Sequence, residues 1–176
     1  MAPLLALLAV TAAPWALGRG RGLPFATALR AGLAAMFVLT GVSHFVGMRD
    51  QLIAMVPPAL PEPELIVTVT GLLELAGAVG LFVPGLARWA AAGLALLLLV
   101  MFPANVYAAQ AGILDDWWSQ LWPRTVLQLV FLAAATIVFV DRWRAAATEP
   151  GRLRGRLGRG SAVAPGPRQD DGATTR

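Results

Sequence analysis

Apolar residues dominate four stretches of this chain, at 31–48, 65–84, 89–109 and 125–140, with charged and turn-forming residues confined largely to the segments between them. A helix needs about 20 predominantly apolar residues to cross the hydrocarbon core of a bilayer, with a working range of about 17–25. The first three stretches meet that range. The fourth is short, but Pro123–Arg124 and Asp141–Arg142 bracket it at two interfaces. A fifth stretch, 2–17, is expected to be an additional uncleaved transmembrane helix. It lacks the positive leading segment of a signal peptide, and the run from Trp15 to Gly18 is a poor cleavage site. The pattern predicts an all-α fold: an integral membrane four-helix bundle over 29–143, one extra N-terminal transmembrane helix within 1–18, and a disordered tail over 145–176.

Between the apolar stretches the chain is not ordinary linker. Residues 56–64 read VPPALPEPE, whose prolines oppose a helix and favour an extended, rigid path over 50–64. The segment 112–124 holds Trp117, Trp118 and Trp122, whose indoles suit the headgroup layer as an aromatic belt. Arginines set the expected orientation. Arg19, Arg21, Arg30, Arg88, Arg142 and Arg144 fall on one side if every stretch spans, while Arg49 and Arg124 sit opposite beside five acids. The positive-inside rule then puts the C-terminus of this expected multi-pass protein in the cytoplasm.

Composition narrows the chemistry. Hydrophobic residues make up 57% of the 176 and charged residues 14%, against about 25% charged in a soluble domain. There is no Cys, which excludes disulfides and thiol redox chemistry, and a single His, which argues against a metal centre built within one chain. The net charge of +4 belongs to the tail: from Arg142 onward eight Arg face three acids. That tail is expected to touch anionic lipid headgroups, not nucleic acid, since no aromatic residue interleaves its GRLRGRLGRG stretch.

The most informative residue is Glu74, alone as a charge in the stretch 65–84. An ionised carboxyl near the bilayer midplane costs at least about 2.5 kcal/mol, so it must be protonated, paired or facing a wet cavity. By the helical rise, Glu74 lies about 13 Å and His44 about 6 Å from the same end of their helices. Asn105 and Gln128 fall at a depth comparable to that of His44, and Arg124 is one turn from Gln128 on the same face. These five residues are the candidate ligand- or proton-binding group, in a polar pocket opening outward. Gly71, Glu74, Gly77 and Gly80 form a small-residue stripe, as do Gly41, His44 and Gly47, so the two helices are expected to pack closely and antiparallel.

Each of these residues also has a purely structural reading. Glu74 would fix helix packing, His44 would be a capped packing histidine, Asn105 would satisfy a carbonyl freed by Pro103, and Arg124 would snorkel to the interface. Other chemistries fail on spacing. Ser43 and His44 are adjacent and do not face one another on a helix, and the GRGRG run lacks the Lys and Ser or Thr of a phosphate loop.

Six phrases occur in order: GVSHF at 41–45, MVPPALP at 55–61, TGLLELAG at 70–77, VPGLAR at 83–88, MFPANVYAA at 101–109 and WPRTVLQL at 122–129. Together they resemble the DoxX-like family of small four-helix bacterial membrane proteins, over about 29–143. The family's polar positions fall on His44, Glu74, Asn105, Arg124 and Gln128. The resemblance implies a membrane component of a quinone-linked or other redox system, more an accessory subunit than an autonomous enzyme, with no covalently bound cofactor. In that reading His44 and Arg124 donate hydrogen bonds to a quinone carbonyl and Glu74 exchanges a proton. An oxidoreductase and further copies of the chain are the expected protein partners. Two other functions stay open: transport of a small or proton-coupled solute, and a non-catalytic scaffold.

Overall fold

The computed structural model describes residues 2–17, 23–113 and 120–159, with side chains as far as 148. Six helices follow in order: α1 (Ala2–Ala16), α2 (Phe25–Ser43), α3 (Arg49–Ala54), α4 (Pro63–Gly80), α5 (Ala87–Gln110) and α6 (Leu121–Arg159). Among the described residues there is no strand, so the fold is all-helical. Four helices are long and apolar enough to cross a membrane: Phe25–Ser43, Pro63–Gly80, Ala87–Gln110 and Leu121–Thr148. The shorter α1 is apolar throughout.

Helix boundaries follow local chemistry. α2 starts six residues before the apolar stretch, directly after Pro24, which accepts the first turn's N–H groups through its carbonyl. It stops at Ser43 because the chain turns at Gly47, whose φ of +78° suits a residue without Cβ. Pro63 sits in the first turn of α4, where its missing N–H costs nothing. The residue before it, Glu62, is the sole non-glycine with positive φ among the described residues (φ +51°, ψ +59°). The segment 50–64 is not extended throughout. The chain forms α3 before its prolines begin at Pro57, and only the part beyond is irregular.

Met1–Trp143 and Arg144–Arg176 form two compact units. In the first, consecutive helices pack antiparallel. Trp15 meets Phe25, Gly41 meets Leu75, Gly77 meets Leu94, and Arg124 meets Asn105. The core joins α1, α2, α4, α5 and α6 through Leu7, Leu33, Phe37, Ala78, Leu94 and Ala135. Outward faces are apolar as well: Leu65, Leu72, Leu96, Val100 and Leu129 are all exposed. A helix set that is apolar both inside and outside is what a lipid solvent demands. In the second unit the described backbone is helical to Arg159, where a disordered tail was expected from Ala145. Arg, Ala and Leu, all good helix formers, dominate that stretch; residues 160–176 lie outside the described residues.

Candidate functional site

The site begins with the close approach of α2 and α4. A Cβ placed on Gly71 would lie 2.5 Å from the Cβ of His44, and one on Gly41 would lie 3.3 Å from the Cβ of Glu74. Each glycine therefore makes room for the polar side chain of the opposite helix. The small-residue stripe of α4 does not stay on this contact. Gly71 and Glu74 face α2, whereas Gly77 and Gly80 face Leu94 and Ala90 of α5. Three-residue steps fall short of a full turn by about 60°, so ten residues carry the stripe halfway round the helix. Gly47 likewise leaves the α2 face, since it lies in the turn.

His44 and Glu74 are brought together and sealed, each only 3% exposed. His44 Nδ1 lies 2.9 Å from the carbonyl oxygen of Thr40, one turn back on α2. A carbonyl only accepts, so Nδ1–H donates in this bond and a neutral ring keeps its lone pair on Nε2. The same Nδ1 is 3.9 Å from Glu74 Oε2, too far for a hydrogen bond. Thr40 Oγ1 donates within its own helix, to the Met36 and Phe37 carbonyls, and Glu74 Oε2 is buried with no hydrogen-bond partner. Above the pair, Arg49 Nη1 donates to the carbonyl of His44 at 3.2 Å and Nη2 to Thr68 Oγ1 at 3.1 Å. One guanidinium thus ties the end of α2 to α4.

The other three candidates meet between α5 and α6. Arg124 Nη1 donates to Asn105 Oδ1 at 2.7 Å. Gln128, 9% exposed, donates through Nε2 to the backbone carbonyl of Leu98. Pro103 removes the usual donor to the Leu99 carbonyl and loosens this part of α5. The neighbouring carbonyl is then served from α6 by Gln128, while Asn105, expected in that role, accepts from Arg124 instead. The five residues therefore form two contacts, one on each helix pair. Two large cavities, of 590 and 730 Å³, flank α1 and are lined by apolar residues of α1 with α2, α4 or α6; neither includes any of the five.

Thr40, Arg49 and Thr68 belong to the site and were not selected from the sequence. Thr40 is one helical turn before His44, a spacing visible in advance. The reach of Arg49 depends on the turn at Gly47 and has no periodic signature. Of the tryptophans expected as a belt, Trp122 is exposed in the first turn of α6, while Trp117 and Trp118 lie outside the described residues. No group of three or more metal-ligating side chains occurs among the described residues.

Residues 33–139 match the family described as a domain of unknown function, DUF8561. No curated protein and no solved structure matches the chain.

Proposed function

The chain belongs to the DUF8561 family, and we propose that it is a membrane component of a redox system whose His44–Glu74 pair receives the polar end of a small quinone-like molecule. The observation that carries this reading is the buried, unpartnered Glu74 Oε2 beside a histidine. Leaving such an atom without a partner is unfavourable in protein and more so in lipid. A protonated Glu74 would donate from this position to a ligand carbonyl, give up that proton as a partner oxidoreductase reduces the ligand, and take one back when the ligand is oxidised. His44 orients the carboxyl from the side. Its own donor is committed to Thr40, so Glu74 is the primary contact.

Kinship with DoxX-like proteins is part of the proposal and rests on the six ordered phrases. So is a fifth span formed by α1, whose fifteen residues rise about 22 Å and which packs on α2 where Thr11 meets Gly32. Arginine placement supports a cell-membrane location with a cytoplasmic C-terminus.

Binding of a quinone analogue to the detergent-purified protein, measured from pH 5 to 9, tests the reading. The natural sequence should bind with pH-dependent affinity, and Glu74→Gln should abolish that dependence and weaken binding up to about tenfold, the worth of one neutral hydrogen bond. Identical binding by both proteins would remove Glu74 from the site.

A further inference from the structure

A second polar cluster lies where α2 and α5 begin, about four helical turns along α2 from His44. Arg30 of α2 lies over the Phe82 ring at 5.8 Å. Arg88 of α5 lies 5.4 Å from the Trp89 ring and 5.2 Å from the Trp143 ring. The two indoles meet edge to face at 6.0 Å. Arg142 adjoins Trp143 in sequence, and Arg30 feels the charges of both Arg142 and Asp141. Three arginines from three helices thus lie at one end of the bundle, Arg30 over Phe82, Arg88 over Trp89 and Trp143, and Arg142 next in sequence to Trp143.

Their charge is not balanced. Asp141 is the acid of this group among the described residues, and Arg142 occupies it with both Nε and Nη2 on Oδ2. The Nε atoms of Arg30 and Arg88 are buried with no hydrogen-bond partner. Buried N–H groups normally find an acceptor. Two of them, on guanidiniums with net positive charge, call for an anion that offers several oxygens. Phosphate has that geometry and charge. Phe82, Trp89 and Trp143 are all largely exposed, and exposed tryptophans mark the depth of the headgroup layer. At that depth the abundant phosphates are those of lipids, and basic clusters between membrane helices hold anionic headgroups.

We propose that Arg30, Arg88 and Arg142 bind the phosphate of an anionic membrane lipid, with Trp89 and Trp143 flanking it. The site is independent of Glu74 and of any redox role.

Native mass spectrometry of the full chain in neutral detergent, titrated with phosphatidylglycerol or phosphatidylcholine, reads the proposal directly. Phosphatidylglycerol should be retained at least about tenfold more tightly than phosphatidylcholine, and Arg30→Gln and Arg88→Gln should each weaken it about fivefold. A tail double variant, Arg152→Gln with Arg154→Gln, should leave the affinity unchanged. Should Arg30→Gln or Arg88→Gln fail to fold, the lysine replacement keeps the charge while losing the fork, and an intermediate loss is expected. Retention unaltered in the bundle variants overturns the proposal, as does loss confined to the tail variant. Displacement of the lipid by an equal concentration of inorganic phosphate overturns the lipid as the source of the anion.

Discussion

Between α5 and α6 the polar groups find counterparts: Arg124 donates to Asn105, and Gln128 donates to the Leu98 carbonyl. Between α2 and α4 a carboxyl oxygen of Glu74 is sealed away with none. Both contacts join antiparallel neighbours in an apolar surrounding, and both use side chains that a packing role alone would not need. The α5–α6 contact shows what this fold does when a polar contact is structural: donors and acceptors are matched, and a backbone carbonyl near Pro103 is satisfied. The α2–α4 contact departs from that pattern at one atom. Helix packing is served there by Gly41 and Gly71, so the unmatched oxygen is surplus to packing. That surplus is the observation on which the ligand or proton role proposed for α2–α4 rests.

The largest effect should come from closing the gap that lets the two helices meet. Gly71→Val puts a branched side chain into His44 Cβ and Phe45, with the first added carbon already 2.5 Å from the former. Overpacking of this kind costs about 3 kcal/mol, read as lost stability in a denaturant titration in mild detergent. Gly93→Ala is the matched control, because a Cβ there meets nothing within 4 Å; it should be neutral or slightly stabilising. Equal behaviour of the two variants would mean that α2 and α4 are not held at this distance.

A smaller loss is expected from the matched contact. Gln128→Ala removes the donor that α6 supplies to the Leu98 carbonyl of α5. Interhelical hydrogen bonds in membrane proteins contribute about 0.6 kcal/mol on average and about 1.7 at most, so the variant should lose about 1 kcal/mol in the same titration. A change below the error of the measurement would mean that α5 satisfies its own carbonyl, and the contrast between the helix pairs would weaken.

The four spans were legible because an apolar run of that length has one common solution in a polar-averse solvent. Their ends were less so. Arg30, a charge just outside the stretch 31–48, is inside α2, with its guanidinium over the Phe82 ring. In the site, the approach of Glu74 and His44 was legible from the glycines beside them and the expected antiparallel packing of their helices, not from depth, which differed by about 7 Å. The separate pairing of Arg124 with Asn105 was not, because depth says nothing of azimuth around the bundle. The donor to the Leu98 carbonyl comes from a helix 30 residues away, a relation no local spacing encodes. Stripe arguments failed for a geometric reason: glycines three apart drift around the helix and end on a different neighbour.

Glu74→Gln should change stability least, by less than about 0.5 kcal/mol in either direction, the range seen where no stabilising contact is touched. The amide keeps the shape of the carboxyl, and Oε2 has no hydrogen bond to lose. If the carboxyl were instead a packing element paired with His44, its replacement would leave a buried imidazole without its counterpart and cost about 1–3 kcal/mol. The size of one small number therefore separates the two readings of this residue. A near-zero change in stability together with lost pH dependence of ligand binding assigns Glu74 to function. A loss comparable to that of Gln128→Ala makes the two helix pairs alike and returns Glu74 to packing.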